Sequence, residues 1–328
     1  MGFEKGLREV GDGLYAYLQP DGSWGWSNAG LVVDGESTLL IDTLYDLALT
    51  EEMLRAMRDA VPAAAQIGTL VNTHANGDHC YGNQLVGGAR IVASQNTAEE
   101  MGELPPAAMA ALVEQAPNMG ELGAFFLSCF GAFDFTGIEL KLPDETFAGE
   151  LSLSVGGREL RLMEVGPAHT RGDTLVHAPA ERVLFTGDIL FSGAHPIAWA
   201  GPVSNWIAAC DRILALDVDV IVPGHGPTAR PDAVAEQRDY FLYLYGQARA
   251  RHEAGMTAMQ AARDIALDRW AAWGERERVV VNVMNIYKEL SADPEPLNPL
   301  AAFQQMAEFA AAPAVHARRP SSPARDVS

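Results

Sequence analysis

The 328-residue chain combines 48% hydrophobic residues with a formal net charge of −20. This length and apolar content allow one large domain or two modest domains with a sizeable core. So acidic a surface repels phosphate backbones, which counts against a nuclease and against nucleic-acid partners in general. It also mildly disfavours highly anionic small molecules, unless a local basic pocket overrides the overall field.

Cysteine usage and hydropathy bear on the cellular setting. Three scattered cysteines indicate no disulfide framework, which favours a reducing, cytoplasmic location. The N-terminal residues lack the long apolar segment of a signal peptide, and no apolar stretch reaches the roughly 18 residues that span a membrane. We therefore expect a cytoplasmic protein without a membrane partner, whose oligomeric state the composition leaves open.

In chain order, the first part of the sequence alternates between strand and helix patterns. Strand patterns cover residues 13–20, 29–42, 68–72 and 89–93, and helix patterns cover 49–60 and 81–86. Thr50 is a candidate N-cap for the first helix. A loop rich in turn-forming residues joins the first two strands and carries Trp24 and Trp26. This alternation is typical of an α/β protein.

Residues 97–135 interrupt the alternation with a helical pattern rich in alanine, methionine and phenylalanine. We predict a helical insertion here. Its aromatic residues, which include Phe125 and Phe126, belong either to an ordinary amphipathic core or to the wall of a neighbouring site.

Strand patterns return after the insertion, and helical patterns dominate beyond residue 230. The predicted strands cover residues 137–142, 151–155, 158–165, 174–177, 182–186 and 218–222, with a helix at 206–216. Helical spacing from 231 to about 290, and a last short helix, predict a C-terminal helical extension over residues 231–312. Residues 313–328 are rich in proline, serine and arginine, and we expect a disordered tail.

Six histidine and aspartate residues lie in turns that follow strand patterns. They are His74, Asp78, His79, His169, Asp188 and His225. Imidazole and carboxylate are the groups that bind Zn²⁺ and related divalent ions. Each residue alone would more often be structural. Together, on loops that a rigid scaffold can bring to one place, they predict a metal site, and more specifically a two-metal site.

These motifs, in this order, resemble the metal-binding motifs of the metallo-β-lactamase fold superfamily. The resemblance covers roughly residues 10–230 and implies an αββα sandwich of two mixed sheets, so that residues 1–230 form a metallo-β-lactamase-like domain. It also implies two metal sub-sites bridged by Asp188, which would hold one or two Zn²⁺ ions, or iron or manganese. The first sub-site would use His74, the residue at position 76 and His169, and the second would use Asp78, His79 and His225.

The resemblance further implies an activity on a small-molecule substrate. A metal-activated hydroxide, oriented by Asp78 as the catalytic residue, would hydrolyse an ester-like bond in a thioester, a lactone or another carboxylic ester. Two alternatives stay open. One is a non-hydrolytic metalloenzyme on the same scaffold, such as an iron-dependent oxygenase or a biosynthetic cyclase, and the other is a binding protein with a degenerate site.

The same resemblance implies that two segments contact the substrate. An insertion such as residues 97–135 can lie across the metal site, and the loop between the first strands can clamp apolar substrate groups. Trp24 and Trp26 fit that clamping role. The alternative is that one or both tryptophans anchor the hairpin against the sheet.

One position departs from the superfamily pattern, because Asn76 replaces the second histidine of the first motif. Asn76 could leave the first sub-site weak, bind a metal through its carboxamide oxygen, or hydrogen-bond the substrate. We favour the weak sub-site, since a carboxamide is a poorer zinc ligand than imidazole. His195 could supply the missing imidazole or contact the substrate, although a loop histidine near the rim is the simpler interpretation.

Four further residues are candidates for holding the metal ligands in their orientations: Thr73, Asn83, Thr170 and Asp173.

Overall fold

The structure is a computed structural model that describes residues 3–292 and 297–312. Within these residues, twelve strands form two sheets. The seven-stranded sheet runs in the order β1 (Gly6–Gly11), β2 (Leu14–Leu18), β3 (Ala29–Asp34), β4 (Ser37–Ile41), β5 (Thr69–Val71), β6 (Arg90–Ser94) and β7 (Glu145–Phe147). The five-stranded sheet runs in the order β12 (Val220–His225), β11 (Val183–Phe191), β10 (Thr174–Ala178), β9 (Arg158–Glu164) and β8 (Glu150–Val155).

Helices flank the sheets and fill the connections between strands. In the described residues they are α1 (Leu47–Ala60), α2 (Gly77–Cys80), α3 (Gln95–Glu100), α4 (Pro106–Gln115), α5 (Gly120–Phe130), α6 (Val203–Leu214), α7 (Pro231–Glu253), α8 (Ala258–Asp264), α9 (Val279–Leu290) and α10 (Pro299–Ala311). Short 3₁₀-helices lie at Pro62–Ala65, Tyr81–Leu85, Ala116–Asn118, Asp268–Trp270 and Arg276–Arg278. None of these helices is both long and apolar enough to cross a membrane.

The two sheets pack face to face through alternate apolar side chains. Leu14 and Val32 of the first sheet meet Leu160 and Val176 of the second in one buried cluster. Because successive strand residues point to opposite faces, each sheet presents a second apolar face outward, and that face needs its own cover.

Helices supply that cover on both sides. Met53 and Met57 of α1 pack on the outer face of the first sheet. Trp206 of α6 and Phe241 of α7 pack on the outer face of the second, in a cluster that also includes α9. The predicted αββα sandwich is therefore confirmed, and the C-terminal helices share the core of the second sheet.

The region of residues 97–135 is mainly helical, as its pattern predicts. It contains most of α3 and all of α4 and α5. Helix α10 returns from the C-terminus to pack against α5, where the Phe303 ring lies 5.7 Å from that of Phe130. The insertion and the C-terminal extension therefore meet over the same side of the sandwich.

One local prediction is refined by the structure and two are wrong. The segment 29–42 is two strands joined by a tight turn, in which Gly35 adopts a φ of +58°. Residues 137–142 form no strand, because Ile138 and Leu140 pack against the aromatic residues of the insertion and not against a sheet, and Leu142 is exposed. Helix α1 is capped by Asp46, which accepts a hydrogen bond from Leu49 N at 2.8 Å, and not by Thr50. The predicted tail at 313–328 lies outside the described residues.

Candidate metal centre

The six predicted ligand residues converge at one edge of the sandwich. Each lies on a strand or in a segment that follows one: His74 follows β5, Asp78 and His79 lie in α2, His169 lies between β9 and β10, Asp188 lies within β11, and His225 ends β12. Strands β11 and β12 run parallel, so both deliver side chains at the same end of the sheet. All six residues are buried.

These residues form two groups. Within each group, the potential ligand atoms all lie within 4.8 Å of one another. The first group is His74, His169 and Asp188, and the second group is Asp78, His79 and His225. Asp188 also lies between the groups. Its Oδ1 is 3.1 Å from His79 Nε2, and its Oδ2 is 3.3 Å from His169 Nε2 and 3.4 Å from His225 Nε2.

The donor set fits divalent cations. Among the described residues, the buried Nε2 atoms of His74, His79 and His169 and the buried Oδ1 of Asp188 make no well-oriented hydrogen bond, although His79 Nε2 and Asp188 Oδ1 lie 3.1 Å apart. A buried polar atom without a partner costs about 1–3 kcal/mol, so four of them at one point call for an additional group. Convergent imidazole nitrogens and carboxylate oxygens are the coordination set of zinc, iron or manganese.

Asp42, at the end of β4, fixes two of the ligands. Its Oδ2 lies 2.9 Å from His79 Nδ1, which leaves His79 Nε2 free to bind a metal. The same carboxylate accepts hydrogen bonds from Thr73 N and Thr73 Oγ1, both at 2.7 Å, and Thr73 Oγ1 lies 3.0 Å from His74 Nδ1. Asp42 was not among the predicted site residues, although its position at the end of a strand pattern is the same signal that marked the predicted ligands.

The other predicted supporting residues hold the ligand loops. His169 Nδ1 lies 2.7 Å from the carbonyl oxygen of Ile197. Thr170 N and Thr170 Oγ1 donate to the Asp173 carboxylate, which closes the turn that follows His169. Asn83 contacts no ligand side chain directly. It donates to Asn72 Oδ1 at 2.9 Å, and the Asn72 amide donates to the backbone oxygen of His79 at 2.8 Å.

The carboxylates and imidazoles of the centre shift one another's pKa values. Burial acts to raise the pKa of Asp188, but the imidazoles of His225 and His79 in particular hold it well below its usual value. Burial acts to lower the pKa of His79, but the carboxylates of Asp188, Asp78 and Asp42 raise it well above its usual value. A bound cation would take the place of those imidazole protons, since ligand histidines must be deprotonated.

Two glycines allow the strands to approach this closely. A Cβ at Gly224 would lie 1.9 Å from Asp188 Oδ1. A Cβ at Gly187 would lie 2.5 Å from Thr73 Oγ1, and Gly187 also adopts a φ of +49°. A side chain at either position would displace the groups that build the centre.

The metal centre opens into a cavity of about 1030 Å³. Its wall combines the insertion, α10, the loop after β11 and the ligands Asp78, His169, Asp188 and His225. Apolar side chains dominate the wall, among them Met101, Met109, Phe126, Phe130, Ile197, Trp199 and Phe303. The cavity is at the upper end of the size range of ligand pockets, so a substrate with a substantial apolar part fits it.

The three tentative substrate contacts lie in different places. Trp24 lines the cavity. Trp26 does not line it, and its ring packs 4.9 Å from that of Phe133, so it anchors the loop against the insertion and not against the sheet. His195 is also absent from the wall, because its ring is buried between Tyr240 and Trp273 at centroid distances of 5.2 and 5.6 Å. This position supports neither the metal role nor the substrate role considered for His195.

Comparison with known proteins assigns the chain to a family. The family model of the Metallo-beta-lactamase superfamily matches residues 22–225. The chain belongs to the metallo-beta-lactamase superfamily. The resemblance seen in the sequence motifs is thereby confirmed.

Several known proteins align with this chain at low sequence identity. The alpha subunit of 2,4-dinitroanisole O-demethylase from Nocardioides sp. is 27% identical over 200 residues, which are 60% of this chain and 51% of that protein. An acyl-coenzyme A thioesterase from Gallus gallus is 27% identical over 121 residues, 35% of this chain and 42% of the thioesterase. A linear primary-alkylsulfatase from Pseudomonas sp. is 21% identical over 267 residues, 71% of this chain and 48% of the sulfatase. The chain thus spans about half the length of these relatives.

A solved structure shares the fold over nearly the whole chain. A stereoselective inverting sec-alkylsulfatase from Pseudomonas sp. superposes with a TM-score of 0.65 at 20% identity, covering 90% of this chain and 52% of the sulfatase. At that identity the likeness extends to the fold alone.

Asn76, the position at which the sequence analysis expected a histidine, lies at the cavity wall. It is the residue before α2, and its backbone oxygen accepts a hydrogen bond from His79 N at 3.0 Å. Its half-buried side chain lines the cavity. This position keeps both a metal and a substrate role open for the carboxamide.

We expect Asn76→His to bind a second equivalent of zinc about 10- to 100-fold more tightly than the wild type, because three imidazoles bind zinc better than two with a carboxamide. Zinc titration by calorimetry measures the change. Asn76→Ala is the matched control, since it removes the carboxamide without adding an imidazole. A wild type that already holds two tightly bound ions, and loses one in Asn76→Ala, would instead identify Asn76 as a ligand.

Proposed function

We propose that this protein is a metal-dependent hydrolase that cleaves an ester-like bond in a small molecule with an apolar acyl or alkyl group. The observation that carries the proposal is the opening of the two ligand groups into a large, mainly apolar cavity. The net charge of −20 supports a small-molecule substrate over a nucleic acid.

The two ligand groups, with Asp188 between them, would hold one or two divalent ions, and we propose zinc as the resident metal. When bound, such ions lower the pKa of water and stabilise negative charge that develops on an oxygen. We propose that Asp78 orients the attacking water, which is supported by its position in the cavity wall and by a side chain that is 11% exposed, against 4% for Asp188. Asp42 and Thr73 keep the imidazoles of His79 and His74 in fixed orientations, so the site needs little reorganisation during the reaction.

Thioesters, lactones and other carboxylic esters are the first candidates, and the acyl-coenzyme A thioesterase among the relatives supports this class. Alkyl sulfate esters are the second candidate, because the primary-alkylsulfatase aligns with 71% of the chain. Both classes place an apolar chain beside a bond that water attacks, which suits the composition of the cavity wall.

A hydrolysis screen tests the proposal. The purified protein, with its metal content measured, is offered aryl esters, thioesters, lactones, alkyl sulfates and β-lactams of matched chain length. We expect hydrolysis of at least one ester class that a chelator abolishes and added zinc restores. Bound iron together with oxygen-dependent turnover would favour a non-hydrolytic metalloenzyme, and a protein that retains no metal would favour a degenerate binding protein.

We expect the insertion to determine the length of the apolar substrate group that the cavity accepts. Phe126 lines the cavity, and its ring contacts Phe303 of α10 at 6.0 Å. Phe126→Ala should shift the preference toward longer chains and lower kcat/KM for short chains by about tenfold, since a methylene or two in an apolar pocket is worth that much. Phe125→Ala is the matched control, because Phe125 also packs on Phe303 but does not line the cavity. An identical chain-length profile in Phe126→Ala would show that the ring belongs only to the core.

A further inference from the structure

A buried arginine of the C-terminal extension forms part of the cavity wall. Arg278 ends the 3₁₀-helix that precedes α9, lines the cavity and is 1% exposed. The proposed hydrolysis assigns it no role. It is among the largest fully buried side chains of the protein, and burying a charged group is costly unless it is paired.

Its guanidinium is only partly satisfied. Nη1 donates to the backbone oxygen of His195 at 3.0 Å, whereas Nε is buried without a hydrogen-bond partner in the part of the chain that the structure describes. No carboxylate of those residues forms an ion pair with it. Glu277, one residue away, accepts a hydrogen bond from Trp24 Nε1 at 2.9 Å instead. Glu275 forms no ion pair with Arg278 either; burial raises the pKa of its carboxyl, while the charge of Arg278 acts to lower it.

The other cations of the cavity wall differ from Arg278. Arg171 lies 2.5 Å from Glu103 and 3.6 Å from Glu100, so its charge is already balanced by two carboxylates. Lys288 is half-buried and is therefore partly solvated. Among the described residues of the wall, Arg278 is the buried cation that retains an unmatched charge.

Aromatic rings hold the guanidinium close to the metal centre. Its central carbon lies 4.1 Å from the ring centre of Trp24 and 5.0 Å from that of Phe191. The Phe191 ring in turn stacks on the ligand His225, with 5.2 Å between centres and 11° between planes. Phe191 thus contacts both the guanidinium and the His225 ring. Stacking fixes the plane of the guanidinium and leaves its edge for hydrogen bonds.

We propose that Arg278 binds an anionic oxygen group of the substrate, a carboxylate or a sulfate, within the cavity beside the metal centre. The inference rests on the proposed function, and it narrows the substrate class to apolar esters that carry a negative charge close to the reacting bond. The planar guanidinium suits such oxyanions, because it can donate two parallel hydrogen bonds to them. It also supplies the local positive charge that an anionic substrate needs to enter so acidic a protein.

Ligand binding tests the inference without turnover. The probes are decanoate, decyl sulfate and the neutral 1-decanol, each titrated into the metal-loaded protein by calorimetry. Arg278→Gln should bind the two anions about 10- to 100-fold more weakly, with decanol affinity changed by no more than about twofold, because one charge-assisted hydrogen-bonded contact is lost. The anion with the larger loss identifies the group that Arg278 prefers.

Two further variants sharpen the result. Arg276→Gln is the matched control, because Arg276 belongs to the same short helix but is exposed over Phe309 and does not line the cavity. Arg278→Lys keeps the charge without the two-donor edge, and we expect anion binding about 3- to 10-fold weaker than in the wild type. This variant carries the test if the glutamine variant fails to fold.

Equal losses for the anions and for decanol would show that Arg278 only shapes the cavity. Unchanged anion binding in Arg278→Gln, or in Arg278→Lys if that is the variant that folds, would also overturn the inference. Metal content is measured in every variant, so a loss of ions is not mistaken for a loss of the anion contact. Failure of the hydrolysis screen with normal anion binding would contradict the proposed reaction and leave the role of Arg278 intact.

Discussion

Replacement of His225 or Asp78 by alanine is expected to remove most of the bound metal and to lower turnover by more than about a hundredfold. Loss of a residue that only supports a metal ligand already reduces metal affinity or activity by about 10- to 100-fold, and loss of a ligand itself should exceed that. Both side chains belong to the second group, where His225 Nε2 lies 3.2 Å from Asp78 Oδ2. Metal analysis of purified variants and turnover of the substrate found by the screen measure the effect.

The fold should survive these two substitutions. Both residues lie at strand ends or in a short helix that faces the cavity, and neither belongs to the apolar clusters between the sheets. Circular dichroism and thermal unfolding check this point. His252→Ala is the matched control, since His252 packs on Tyr287 in the C-terminal extension and belongs to neither ligand group. Unchanged metal content in both Asp78→Ala and His225→Ala would refute the assignment of the second group.

Asp42→Ala is expected to weaken metal binding by about 10- to 100-fold although Asp42 is not itself one of the ligands. Without the carboxylate, His79 can adopt the other tautomer or rotate, and the donors of Thr73 lose their acceptor. Leaving these buried groups without partners should lower the free energy of unfolding by about 3 kcal/mol. Asp42 also adopts a φ of +62°, a conformation that adds strain for alanine.

Asp42→Asn is the matched control for that experiment. Asparagine tolerates the left-handed backbone and keeps an acceptor oxygen, but it carries no charge. We expect it to retain most of the stability and to lose part of the metal affinity. Metal titration and chemical denaturation of both variants separate the two effects. A folded Asp42→Ala protein that binds metal as tightly as the wild type would exclude the positioning role.

The cavity wall is formed in part by segments that lie outside the αββα sandwich. Helices α4 and α5 of the insertion form one part of its wall, and α10 and the turn that carries Arg278 form another. Phe303 joins the two parts, with its ring 5.6 Å from Trp24 and stacked 5.9 Å from Trp199. Substrate selection in this protein is therefore expected to lie in the insertion and the extension, while the sandwich holds the metal centre.

Much of the candidate metal centre was predictable because its proposed ligands are local in sequence or carry local signals. A single polar residue after a strand pattern is not informative, but the order of the six along the chain is specific. The strand pattern likewise predicted the sandwich, since period-two alternation records which face of each strand is buried. The prediction of a strand at 137–142 was wrong because alternating apolar residues also suit an extended segment that packs on helices.

Other features depended on contacts between distant segments. Asp42 reaches His79 only because β4 and β5 pair in parallel, with Ile41 opposite Val71. Trp24 and Trp26 have the same local sequence context, and only the packing of the insertion and α10 separates the cavity residue from the anchor. Arg278 has no motif around it, and it becomes part of the site because the C-terminal helices fold back over the sheet. Local patterns determine which residues can bind a metal, whereas long-range packing decides what surrounds the metal and which substrate can approach it.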